Sequence, residues 1–215
     1  MTKNPDQEAT SGREAVLDAA QSCLQRFGLA KTTVEDVAQA AGLSRATVYR
    51  QFGSRDALLL AVAARDAERV ASQAELYLQR FEDVGSWIVE GILFCLREIP
   101  RRPLLSQLLA PTELGTASRL VLSSESMLEI GADLLRPMFE PARRQGLLRE
   151  SLEIDALIEW VLRILMSYLA VPSHRARGEQ EMRHLLSSMI LPAVLKDSSN
   201  LPELRKPLNK ESGNG

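Results

Sequence analysis

Apolar residues recur at helical spacing along most of this chain. Val16, Ala19, Ala20, Cys23, Leu24 and Phe27 stand at i, i+3, i+4, i+7, i+8 and i+11, and this stripe stops at Gly28. Thr33 then precedes Val34-Glu35-Asp36, and Val37, Ala38 and Ala41 continue the stripe as far as Gly42. A threonine followed by acids suits a helix start, because its oxygen accepts from a free N–H and the acids oppose the helix dipole. Ser44 repeats the arrangement for Arg45 to Gln51, and Ser54 caps a helix that begins near Arg55 and extends to about Phe81. The pattern predicts three short helices and then a long one.

The second half is greasier. Trp87 to Ile99 is apolar nearly all round, which predicts burial in the middle of a domain; Pro100 and Pro103 end it. Leu104 to Leu109 reads as a short helix stopped by Pro111. Residues 117–136 read as a helix with the stripe Leu122-Glu125-Glu129-Asp133-Arg136, which Pro137 and Pro141 are expected to kink or end. From Asp155 to Val171, Leu157, Trp160, Val161, Ile164 and Tyr168 make one apolar face, and Ile158, Leu162, Leu165 and Leu169 make a second. A helix with two apolar faces needs two partners: its own core and, for the second face, another subunit. The last helix, about 179–195, carries Met182, Leu185, Leu186, Met189, Ile190 and Ala193. A four-helix bundle across a two-fold axis would bury Ile158, Leu162, Leu165, Leu169, Leu185 and Met189.

Composition changes the picture little. The 215 residues are 45% apolar and 25% charged, the balance of a folded globular chain. The fold class is all-α, with a flexible arm at 1–11, a small three-helix domain at 12–56, a larger helical domain at 57–196, and a flexible tail at 197–215. The two cysteines, Cys23 and Cys95, form no CxxC and suit a reducing compartment. The start of the chain has no apolar core of a signal peptide, and no stretch approaches the ~18 apolar residues of a membrane span. A cytoplasmic protein without a membrane partner is expected.

Charge at first argues against nucleic acid: 26 basic and 28 acidic residues sum to −2. The sum hides a local patch. Between Gly42 and Arg55 lie Arg45, Arg50 and Arg55 and no acid. Gly42-Leu43-Ser44 has the length and composition of the turn in a helix-turn-helix, whose second helix enters the major groove. Arg45, Ala46 and Thr47 open that helix, where an arginine can bond bidentately to guanine and a methyl group can touch thymine. Thr33, Ser44 and Arg55 suit phosphate contacts that position without reading sequence.

The segment Arg13-Glu14-Ala15-Val16-Leu17-Asp18-Ala19-Ala20, Phe27-Gly28, Thr32 to Ala38 and Ala41 to Arg55, with its Ser-x-x-Thr-x-Tyr-x-x-Phe core, resembles the TetR/AcrR family of bacterial one-component transcription regulators. The resemblance covers about residues 12–60; the remainder matches in helix count and order. The family often has lysine where Arg55 stands. The resemblance implies a homodimeric regulator, expected as a repressor, that binds a palindromic double-stranded DNA operator. It also implies that Tyr49 reaches the DNA backbone and that the larger domain takes a small-molecule effector.

In that domain Trp87, Phe94, Met127, Phe139, Met166 and Tyr168 could line a pocket, and the few charges in 87–99 favour an apolar or amphipathic ligand. No HExxH, G-x-S-x-G, P-loop or GxGxxG occurs, and His174 and His184 stand ten apart. No catalytic residue, metal ligand or cofactor is assigned, and no enzyme is expected. A helical ligand-binding or scaffold protein that does not bind DNA is the alternative.

Overall fold

The computed structural model describes residues 5–109, 125–171 and 177–197, with side chains over 12–108, 128–171 and 177–197. These residues form nine α-helices and no strand: α1 (Pro5–Phe27), α2 (Val34–Ala40), α3 (Arg45–Phe52), α4 (Arg55–Leu78), α5 (Val84–Glu98), α6 (Pro103–Leu109), α7 (Glu125–Arg144), α8 (Ile154–Ala170) and α9 (Glu179–Val194). Helix α1 begins within the segment expected as an arm. Pro5 suits a first helical position, where no N–H bond is needed, and Asp6, Gln7, Glu8 and Ala9 continue it readily.

Small polar residues set the helix starts. Thr33 and Asp36 form a reciprocal capping box, the Ser44 hydroxyl accepts from Thr47 N–H at 3.1 Å, and the Ser54 hydroxyl accepts from Ala57 N–H at 3.1 Å. Each such cap contributes about 1 kcal/mol. Gly42 ends α2 in the left-handed region, at φ 67°, so that Leu43 N–H reaches back to the Ala38 carbonyl at 2.9 Å.

Helices α1 to α3 pack with the start of α4 around Val16, Ala20, Val37, Val48 and Leu58. Helix α4 is about 36 Å long at 1.5 Å per residue, and it continues from this head into the body, against α5 and α7. A polar seam joins α1 to α4. Arg65, only 9% exposed, donates to Glu14 at 3.1 Å, Asp18 at 2.8 Å and Gln21 at 2.8 Å. Asp66, 1% exposed, accepts from Gln21 Nε2 at 3.2 Å. Such buried charges persist only because they are paired.

Helix α5 sits among α4, α7, α8 and α9, as its apolar surface requires. Its one buried acid, Glu90, accepts from the Tyr77 hydroxyl at 3.0 Å and from Arg183 Nε at 2.5 Å, tying α4, α5 and α9 together. Burial and the Glu90 carboxylate raise the Tyr77 pKa, and the hydrogen bond to Glu90 raises that of Arg183.

Two expectations change here. Helix α7 runs unbroken through Pro137 and Pro141. The prolines stand four apart, Asp133 and Pro137 are exposed, and the carbonyls left without partners there can bond to water. The opposite face buries Leu135, Phe139 and Ala142. Residues 117–124 of the expected helix lie outside the described residues, as do 1–4 and 198–215. On α8, the face expected to meet a second subunit is occupied within the chain. Ile158 and Leu165 are buried, Leu162 lies against Gly131 of α7, and Leu169 is half-buried. The helix packs against α7 and α5, and Leu157 and Val161 of its other apolar face are buried as well. Trp160 of the other face is 41% exposed. On α9, Leu185 is half-buried and Met189 is 68% exposed.

Candidate nucleic-acid interface

Helix α3 buries Val48 against the head and leaves Arg45, Ala46, Tyr49 and Arg50 exposed on one face. Those positions follow from 3.6 residues per turn: 45, 46, 49 and 50 share a side. Thr47 is half-buried, and its backbone and hydroxyl bond to Ser44, the latter at 2.9 Å. Arg50 has no ion-pair partner among the described residues, so its charge is open to solvent.

Arg45 is different. Its guanidinium pairs with the carboxylate of Glu35, approaches the Tyr49 hydroxyl at 3.5 Å, and lies 5.2 Å from the centre of the Tyr49 ring. The bond to Tyr49 and the Glu35 charge raise the arginine's pKa. Glu35 lies ten residues away on another helix, so the acid-free stretch from Gly42 to Arg55 is not acid-free once folded. The sequence marks Glu35 only as a first-turn acid of α2.

Arg55 also departs from expectation. Its Nε donates to the Thr32 carbonyl at 2.9 Å and its Nη2 to the Leu29 carbonyl, with Asp56 at 3.8 Å. The side chain staples the α1–α2 connection to the start of α4 rather than projecting as a free cation. The Leu29 N–H is held in turn by Gln107 Oε1 of α6, at 3.0 Å. The Thr33 hydroxyl both caps α2 and donates to Asp36 at 2.7 Å. Hydrogen bonding to Thr33 lowers the Asp36 pKa.

Beneath α4 the body holds an apolar cavity of about 130 Å³. Its lining includes Val70 and Leu78 of α4, Trp87 and Ile92 of α5, Leu134 of α7 and Met166 of α8. Trp87 and Met166 were expected there. Phe94 and Phe139 are instead buried in the core, Phe94 stacked 5.1 Å from Tyr77, and Tyr168 is half-buried away from the lining. The Met127 side chain lies outside the described residues. Helical periodicity could not separate these roles, because core and cavity wall are equally apolar. The described lining is apolar apart from the Cys95 thiol and the Trp87 indole, whose N–H is spent on the Phe81 carbonyl at 2.7 Å, so a ligand here would be held by shape and dehydration. Among the described residues no cluster of His, Cys, Asp or Glu could hold a metal, and no helix is long and apolar enough to cross a membrane.

Residues 16–62 match the family model described as bacterial regulatory proteins, tetR family. The chain is 25% identical over 186 residues to the HTH-type transcriptional regulator Rv1255c of Mycobacterium tuberculosis, covering 86% of this chain and 87% of that one. It is 36% identical over 74 residues to the HTH-type transcriptional repressor Rv1474c of the same organism, covering 34% and 40%. Among solved structures, the TetR family repressor AlkX from a Dietzia species, implicated in biodegradation of n-alkanes, is 26% identical. It superposes with a TM-score of 0.64 over 84% of this chain and 93% of that one.

Proposed function

For this chain, which belongs to the TetR family of bacterial transcription regulators, we propose a cytoplasmic homodimeric repressor that binds a palindromic operator and responds to a small apolar or amphipathic ligand. Arg45, Ala46 and Thr47 read base edges in the major groove. Ser44, Thr33, Tyr49 and Arg50 meet the backbone, and Arg55 acts indirectly by holding the head together. The observation that carries this reading is the continuity of α4: its first turn packs on α3 while Val70 and Leu78 wall the cavity.

A ligand that prefers one placement of α4 therefore changes the spacing of two reading heads. A preference of about 1–3 kcal/mol alters operator affinity about 5–150-fold, and a rigid-body shift is enough. The exposed Trp160 and Met189 are the apolar groups that α8 and α9 offer to a second copy. The apolar lining supports the ligand class, and the Dietzia relative's implication in n-alkane biodegradation is in keeping with it.

The test is selection from a random duplex library by the purified protein. Enrichment of a two-fold symmetric site, released by an apolar compound that raises the melting temperature, is the expected result. No enriched site at low salt would overturn the regulator reading.

A further inference from the structure

We infer that Glu35 is a specificity-determining positioning residue, which ties Arg45 down for base contact and keeps it from the phosphate backbone. This rests on the reading that α3 enters the major groove. Glu35 is the second residue of α2 and Arg45 the first of α3, and the turn closed by Gly42 and Ser44 brings them into an ion pair. Their side chains are 51% and 60% exposed, on the surface where α3 presents Tyr49 and Arg50.

Two plainer roles leave this acid unexplained. An ion pair this exposed adds little to stability. The start of α2 does not require it either, since Thr33 and Asp36 already complete the capping box. An acid on a DNA-facing surface also repels phosphates, so by charge alone Glu35 opposes binding.

What it does supply is restraint. A free arginine side chain reaches whichever phosphate is nearest, and such contacts carry no sequence information. Glu35 and the Tyr49 hydroxyl hold Arg45 from two sides. A guanidinium has five N–H donors, so three remain for the paired acceptors O6 and N7 of guanine. Where guanine is missing, Arg45 can reach a phosphate only by abandoning the carboxylate. Glu35 thus lowers affinity for every duplex and lowers it most for the wrong ones.

The experiment uses the full-length protein and three probes: a duplex recovered by selection, the same duplex with single base pairs changed, and a scrambled duplex of equal composition. With Glu35→Gln, affinity for the scrambled duplex is expected to rise roughly three- to tenfold, with a salt slope steeper by about 1 per head. Discrimination at one symmetric guanine position should fall by roughly tenfold. Glu35→Asp should recover part of that loss, and Glu35→Gln added to Arg45→Ala should raise affinity for all duplexes alike through the lost charge and change discrimination no further. Unchanged discrimination in Glu35→Gln, or the same loss of discrimination without Arg45, would overturn the inference. So would equal losses on all duplexes with a lowered melting temperature, which would make Glu35 a helix-stability residue. Wild-type protein that fails to discriminate at all would refute the regulator reading instead.

Discussion

Substituting Arg55 separates two roles open to a basic residue at the start of α4. In the structure its Nε and Nη2 donate to the Thr32 and Leu29 carbonyls, and its side chain is 37% exposed. A hydrogen bond from a charged donor is worth about 1.5–3 kcal/mol. Exposure lets water replace part of that, so Arg55→Ala should cost about 2–3 kcal/mol for the two bonds together. At about 2–4 °C per kcal/mol for a chain of this size, the melting temperature should fall by roughly 5–10 °C. Arg55→Lys keeps the charge but has no second nitrogen to span both carbonyls, so about half the loss should persist. Thermal melts followed by circular dichroism, paired with DNA titrations at two salt concentrations, decide between the roles. A staple predicts that lysine keeps the salt slope and loses stability. If Arg55→Lys melted with the wild type while Arg55→Ala weakened DNA binding at unchanged stability, Arg55 would be a phosphate contact and the staple would be refuted.

Two cavity glycines should respond oppositely to alanine. A Cβ on Gly91 meets Leu78 at 3.5 Å, an ordinary contact, so Gly91→Ala should gain about 0.5–1 kcal/mol in thermal or urea unfolding. A Cβ on Gly131 comes within 2.5 Å of a Leu162 methyl and drives that side chain toward the cavity. Gly131→Ala should therefore gain nothing and weaken ligand binding; equal stabilisation by both variants would refute this packing. Burial pushes the Cys95 thiol up to about 12. Because the folded state favours the protonated thiol, its contribution is complete below the unfolded value near 8.5 and is lost between there and about 12. Stability measured above pH 9 should thus fall less steeply in Cys95→Ala than in wild type, and identical slopes would contradict it.

Much of the head is legible in the sequence because its signals are local. Thr33, Ser44 and Ser54 sit one residue before α2, α3 and α4, and Gly42 marks the turn between α2 and α3. Partners across helices leave no such signal. Arg45 and Arg55 look alike as isolated cations, yet one meets Glu35 and the other two carbonyls. On α8 the periodicity yields two apolar faces, but both are partly buried within the chain, Leu157 and Val161 on one and Ile158 and Leu165 on the other, because α7 and α5 both pack on this helix. Pro137 and Pro141 read as breakers, whereas four-residue spacing on an exposed side lets the helix continue. Phe94 and Phe139 read as pocket walls in the sequence because the cavity and the core share one kind of residue.

On the proposed function, the outward face of α3 reads a symmetric DNA site. Fluorescence anisotropy of wild-type and Arg45→Ala protein on the selected duplex and its single-pair variants, across a salt series, tests it directly. Wild-type affinity should fall steeply with salt, and Arg45→Ala should lose preference at one symmetric position, about 5–150-fold in discrimination, while still binding DNA. Equal wild-type affinity for selected and scrambled duplexes, or an Arg45→Ala profile that superposes on the wild type, would contradict it.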